Sequence, residues 1–208
     1  MLCTYFLDNI FLCFWGIHMK KSKMIILIGP SGAGKSTLRK YACMKNADIS
    51  CLVAVTDRGP RQGEIHGVDK FFLKNRIFEQ LKNDNKLCLL NCVYDNQYAF
   101  FKENFLTGDI YICELYYKNL KEFLLYHSES KSIYIRPENI EECKKRLYLR
   151  GSSIEENAIR EKQIETEIIT LDNLFERGLF NYKFINNYDM ESKESFVKLI
   201  DRVKGGFK

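Results

Sequence analysis

The run Gly29-Pro30-Ser31-Gly32-Ala33-Gly34-Lys35-Ser36-Thr37 fills the pattern GxxxxGK[ST], and its residue types suit the holding of a triphosphate. Glycines let the backbone turn its N–H groups inward onto phosphate oxygens. Gly29, Ser31, Gly32, Ala33, Gly34 and Thr37 form the expected ATP cradle. Lys35 would reach the β- and γ-phosphates, and the Ser36 hydroxyl would ligate Mg²⁺. The competing description is a glycine-rich turn that only joins a strand to a helix. A second cationic pair follows in the loop from Thr56 to Phe72. Arg58 and Arg61, three apart around Gly59-Pro60, can converge on one phosphate with paired N–H bonds; taken alone, an exposed basic loop is an equal alternative.

Elements on either side must position these groups. Met24 to Ile28 is a continuous β-prone run of the kind buried in a parallel sheet, and Ser36 to Met44 carries helix formers whose dipole favours an anion at the N-terminus. Further on, the pattern predicts a strand over 49–56, a polar loop over 57–68, and a compact piece over 71–94 with a short strand, a helix near 75–82 and a strand near 87–94. A strand over 109–114, a helix over 117–127, a strand over 132–135 and a helix opened by Pro137 come next. After a break at Arg150-Gly151-Ser152-Ser153 follow a long polar helix with Ile159, Ile164, Ile168 and Leu171, a strand over 182–185 and a helix over 191–203. This alternation implies an α/β fold with a parallel sheet flanked by helices and ligands at the strands' C-terminal ends.

Composition agrees with one domain. The chain has 208 residues, 46% of them hydrophobic, and its 32 Lys and Arg against 27 acidic residues give a modest charge of +5 spread along the sequence. Basic clusters such as Lys144-Lys145-Arg146 are short, so no nucleic-acid partner is expected. Eight cysteines include no CxxC, and three scattered histidines offer no metal site made from side chains alone; reduced thiols in a cytoplasmic setting are expected. Residues 2–17 are apolar but carry Asp8 and lack the flanks of a signal peptide or the length of a membrane span; they are expected to be an extension outside the fold, with a membrane-surface anchor as the minority alternative.

The loop TDRGPRQGEIHGVDKFF over 56–72 resembles the guanylate kinase signature TxRxPRxGExxGxDYxF, and the cradle and downstream segments follow in that family's order. Lys144 to Gly151 resembles the KKRLxxRG leading into the family's lid. The resemblance implies a P-loop NTPase three-layer core with a small acceptor-binding insertion and a helical lid. Its boundaries would be 1–22 for the extension and 23–204 for the domain, divided into core (23–56, 95–149 and 165–204), insertion (57–94) and lid (150–164). It implies transfer of the γ-phosphoryl group of ATP, with Mg²⁺, to a nucleoside monophosphate or sugar phosphate, by a monomer or homodimer. Arg146 and Arg150 match the lid arginines, and Arg160 is a candidate displaced by one residue. Arg58, Arg61 and Tyr98 match the acceptor-phosphate grip, and Lys70 replaces its first tyrosine. Glu114 stands at the first Asp of a D-x-D whose second position is Tyr116; it would serve the magnesium shell or the base side, with a structural strand-end glutamate as the alternative. Asn186 falls where the family approaches adenine, with backbone capping equally in view.

One part of the pattern fails. Aligned without gaps, the serine and glutamate that read guanine fall on Ala54 and Leu89; a shift of one or two residues would bring Asn91 or Asn85 to the glutamate's place. Altered or relaxed base choice follows. Two alternatives remain, a ribose-phosphate kinase and a non-catalytic guanylate-kinase-like binding module.

Overall fold

The structure, a computed structural model, describes residues 23–93, 95–105, 110–126, 129–149 and 154–207. The N-terminal extension and the segment Arg150-Gly151-Ser152-Ser153 lie outside the described residues. In chain order the elements are β1 (Lys23–Ile28), α1 (Lys35–Lys45), β2 (Ile49–Cys51), β3 (Val55–Thr56), β4 (Phe71–Phe72), α2 (Asn75–Asn83), β5 (Leu87–Val93) and β6 (Asn96–Phe101). They continue with β7 (Ile110–Glu114), α3 (Leu120–Tyr126), β8 (Lys131–Pro137), α4 (Ile140–Tyr148), α5 (Ile154–Glu176), β9 (Tyr182–Asn186) and α6 (Met190–Gly205).

The apolar run of β1 is unbroken because both of its faces are covered. Met24, Ile26 and Ile28 pack with Leu120, Phe123, Leu171 and Phe180, while Ile25 and Leu27 pack with Leu38, Ala42, Phe196 and Ile200. Successive strand residues point to opposite faces, so helices on both sides leave no polar face. β1 is the centre of a five-stranded sheet in the order β2-β7-β1-β8-β9, parallel throughout. This is the three-layer core of a P-loop NTPase. A second sheet, in the order β4-β3-β6-β5, packs Val55, Leu87 and Ala99 against Phe78 of α2.

Three local readings change. The strand predicted over 49–56 is two strands in different sheets: β2 pairs with β7 and β3 pairs with β4 and β6. No glycine or proline marks the crossing at 52–54, because the Leu52 N–H still donates to Ile112 and the Ala54 carbonyl still accepts from Phe71. The small sheet therefore spans Val55 to Phe101 and takes in β6. Pro137 ends β8 instead of opening a helix; Asn139 caps α4 by accepting from the Glu142 N–H. Finally, Cys43 and Cys51 form a disulfide, which corrects the expectation of reduced thiols at those positions. The return from α1 to β2 brings their Cα atoms to 6.3 Å, a proximity that an eight-residue spacing does not reveal. No helix among the described residues is long and apolar enough to cross a membrane.

The sheet also fixes the loop after β1. A Cβ on Gly29 would come within 2.4 Å of the Ile135 carbonyl oxygen in β8, whereas one on Gly59 meets nothing. Gly29→Ala is expected to cost about 1–3 kcal/mol and to lower the thermal midpoint by several degrees, with Gly59→Ala close to wild type in the same melts.

Candidate active site

The loop from Gly29 to Gly34 is braced from behind by α4 and by the end of β9. Gly32 (φ 86°) leaves no room for a side chain against the Cys143 carbonyl, and the Cys143 thiol donates to the Ser31 carbonyl. The Asn186 amide donates to the Ala33 carbonyl while its Oδ1 accepts from the Tyr188 N–H. Asn186 is buried, with both polar ends engaged by main chain, and braces the cradle from behind. Gly34 takes the left-handed conformation (φ 84°) that starts α1, which few other residues adopt cheaply. Lys35 leads α1, and its ammonium donates to the Gly29 and Pro30 carbonyls at 2.7 and 2.8 Å.

At the end of β7, Glu114 joins this loop to the rest of the site. Its carboxylate accepts from the Ser36 hydroxyl and from Arg39 Nε, each at 3.1 Å. Burial works to raise the Glu114 pKa, but Arg39, Lys70 and Lys35 outweigh it and hold the carboxyl at about 2. Arg39, one turn after Lys35, is 2% exposed, and no sequence pattern singled it out.

On the opposite wall, Arg58 makes a bidentate pair with Glu64, both bonds 2.7 Å, and its Nε is buried without a partner. Burial pushes the Arg58 pKa down, and Glu64 more than offsets that; Glu64 in turn also accepts from the Arg61 N–H. Lys70 sits 5.7 Å from the Tyr98 ring centroid, with its pKa lowered by burial. Asp69 is paired with Lys40 of α1, which ties this wall to the cradle helix.

A single cavity of about 580 Å³ joins the two walls. Gly29, Ser31, Lys35, Ser36 and Thr37 line it on one side; Arg58, Arg61, Lys70 and Tyr98 line it on the other, with Glu114 between them. Ala54 and Leu89 line it as well. Arg146, Arg160 and Asn186 do not line the cavity. Arg146 pairs with Glu142 at 2.9 Å and stacks 4.2 Å over the Tyr188 ring. Arg160 is buried on the stripe of α5 that includes Asn157, Ile164, Ile168 and Leu171, a spacing that turns it inward. No sequence pattern pointed to Glu167, on the same helix, which lines the cavity and accepts from the Ser31 N–H. Burial raises its pKa against the opposing pull of Lys35 and that N–H.

Two outcomes follow from these charges. Glu114 has a folded pKa depressed from 4.5 to about 2, so its ionised form supports folding fully above about pH 4.5, and that support is lost as pH falls toward 2. In melts across that interval, Glu114→Gln should lose less stability than wild type. Glu167 places a carboxylate on a cradle N–H, where an anionic ligand would compete with it. Glu167→Gln should tighten ATP binding severalfold by calorimetry, and weaker binding would show that the carboxylate assists the ligand.

Comparison with known proteins agrees with this arrangement. A family model described as guanylate kinase matches residues 21–200. The guanylate kinase of Mycoplasmopsis pulmonis is 29% identical over 195 residues, spanning 88% of this chain and 96% of its own. That of Prochlorococcus marinus is 30% identical over 185 residues, 86% of this chain and 97% of its own. The crystal structure of guanylate kinase from Anaplasma phagocytophilum shares the fold, with a TM-score of 0.65 at 20% identity over 90% of this chain and 87% of that one. Because the family match runs through the cradle, the arginine loop and both sheets, the chain belongs to the guanylate kinase family.

Proposed function

We propose that this protein transfers the γ-phosphoryl group of ATP to a nucleoside monophosphate, with a base choice altered from guanine. The observation that carries the proposal is the shared cavity, in which a main-chain cradle with Lys35 faces Arg58, Arg61, Lys70 and Tyr98. Phosphoryl transfer needs little covalent help, and its demands are to align two anions and to neutralise charge on the transferred group. Among the described residues, six cations (Lys35, Lys40, Arg58, Arg61, Lys70 and Lys193) line the cavity against four carboxylates (Glu64, Asp69, Glu114 and Glu167). That excess favours phosphate-bearing ligands.

In this reading the loop from Gly29 to Thr37 holds the ATP phosphates, and Arg61, Lys70, Tyr98 and the free Nε edge of Arg58 hold the acceptor phosphate. The Ser36 hydroxyl and the Glu114 carboxylate, 3.1 Å apart, are oxygen donors that would suit magnesium. Magnesium bound there would screen charge between the β- and γ-phosphates. Arg146, beside the cradle through Tyr188, and Arg150 are assigned to the charge on the transferred group; residues 150–164 are assigned to the lid and the small sheet with α2 to acceptor binding. Ala54 and Leu89 cannot pair with a base edge, which supports the altered choice.

An assay of ADP release with GMP, dGMP, AMP, UMP, dTMP and ribose bisphosphate tests both halves. Transfer to at least one monophosphate is expected, without a GMP preference of orders of magnitude. Lys35→Ala should lower turnover by roughly a hundredfold or more. A binding module would show no turnover to lose, and turnover with ribose bisphosphate alone would favour the sugar-phosphate reading.

A further inference from the structure

The base-facing wall of the cavity contains an irregularity that changes which side chain it presents. β5 pairs with β6 through Leu87↔Phe101 and Cys88↔Phe100, then resumes at Asn91↔Tyr98. Leu89 and Leu90 therefore stand against Ala99 alone, a β-bulge, and Leu89 takes the left-handed conformation (φ 53°) rare for a branched residue. A regular ladder would have set Leu90 opposite Tyr98. The extra residue moves Leu90 to an exposed position and puts Asn91 on the cavity face beside Tyr98. Here Asn91 is a polar group between Leu89 and Val93 on the cavity wall, and its Oδ1 is buried with no hydrogen-bond donor. Unsatisfied buried acceptors are rare, and one that lines a cavity is open to a donor from a bound ligand.

Building on the monophosphate kinase reading, we propose that Asn91 is the specificity-determining residue for the acceptor base. A carboxamide presents one acceptor and one donor side by side. It therefore pairs with a base edge that offers one N–H beside one acceptor, as N1–H and O6 do in both guanine and hypoxanthine. It cannot accept two neighbouring N–H groups, so the 2-amino group of guanine goes unread. A carboxylate at the same position accepts both. The acceptor class is thus a nucleoside monophosphate recognised through a single donor–acceptor pair, and the bulge is the device that delivers it.

The test compares kcat/KM for GMP and IMP in the full-length protein and in Asn91→Asp and Asn91→Leu, with ATP binding by calorimetry as the check that each variant is folded. Wild type should use GMP and IMP within about fivefold of each other. Asn91→Asp, nearly isosteric, should shift the ratio toward GMP by about tenfold or more, and Asn91→Leu should lower both by a similar factor while ATP binding stays intact. A wild-type GMP preference above about fiftyfold, or a ratio unchanged in Asn91→Asp, overturns the assignment and leaves the kinase reading standing. Failure to phosphorylate any monophosphate overturns both. If a variant does not bind ATP, GMP and IMP titrated into wild type decide the matter: comparable affinities support the assignment, and a large gap refutes it.

Discussion

A carboxylate buried among cations is the constraint around which this structure is built. Glu114 ends the strand beside β1, in a sheet whose apolar faces leave polar chemistry only at the strand ends. Arg39, Lys35 and Lys70 each act electrostatically on that one group, and they come from the cradle helix and from the arginine loop. One negative charge cannot neutralise three positive ones. The remaining field is positive and focused in a cleft with low-dielectric walls, the condition in which phosphate anions bind strongly and gain most from fixed donors. Removal of Glu114 would leave like charges facing each other across the gap, so the same group that limits the field also holds the two walls together.

The protein's own acids occupy several positions in which ligand oxygens would be at home. Glu64 grips both terminal nitrogens of Arg58, Asp69 holds Lys40, and Glu167 takes the Ser31 N–H in the cradle. A buried Arg58 without a partner would be costly, and the Glu64 contact offsets that cost in the absence of nucleotide. They also set a threshold for binding, since an incoming phosphate gains only the difference between itself and the carboxylate it displaces. Charge-assisted bonds to a dianionic phosphate exceed those to a single carboxylate, so the exchange favours phosphorylated ligands over simple acids.

The cradle was legible in the sequence because its chemistry is local: glycine, lysine and hydroxyl residues at fixed spacing between a strand and a helix leave few alternatives. The arginine pair was legible for the same reason, and the parallel core followed from strands alternating with helices. What stayed hidden depends on partners distant in the chain. Glu167 meets Ser31 across 136 positions of a polar helix pattern. Arg39 looks like an ordinary helix residue until Glu114 is placed beside it. The strand predicted over 49–56 gave no sign of changing sheets, since Leu52, Val53 and Ala54 are apolar in either setting. The burial of Arg160 was equally hidden, because similarity of sequence position does not show which face of a helix is buried.

The two ends of the acceptor wall answer to different physics, and this allows one to change without the other. At the proposed phosphate end, Arg58, Arg61 and Lys70 would act through charge, which falls off gradually with distance and would tolerate a lysine in place of a tyrosine. At the base end, discrimination depends on hydrogen bonds whose partners must face each other within a few tenths of an ångström. A single inserted residue in β5 is enough to exchange a leucine for an asparagine beside Tyr98, because the strand's side-chain period is two. In the proposed reaction the chemical step would be carried by the cradle and by Glu114 on the other sheet, and neither shares a hydrogen-bond ladder with β5. Base choice can therefore drift in the small sheet while the geometry for phosphoryl transfer stays fixed by the buried core.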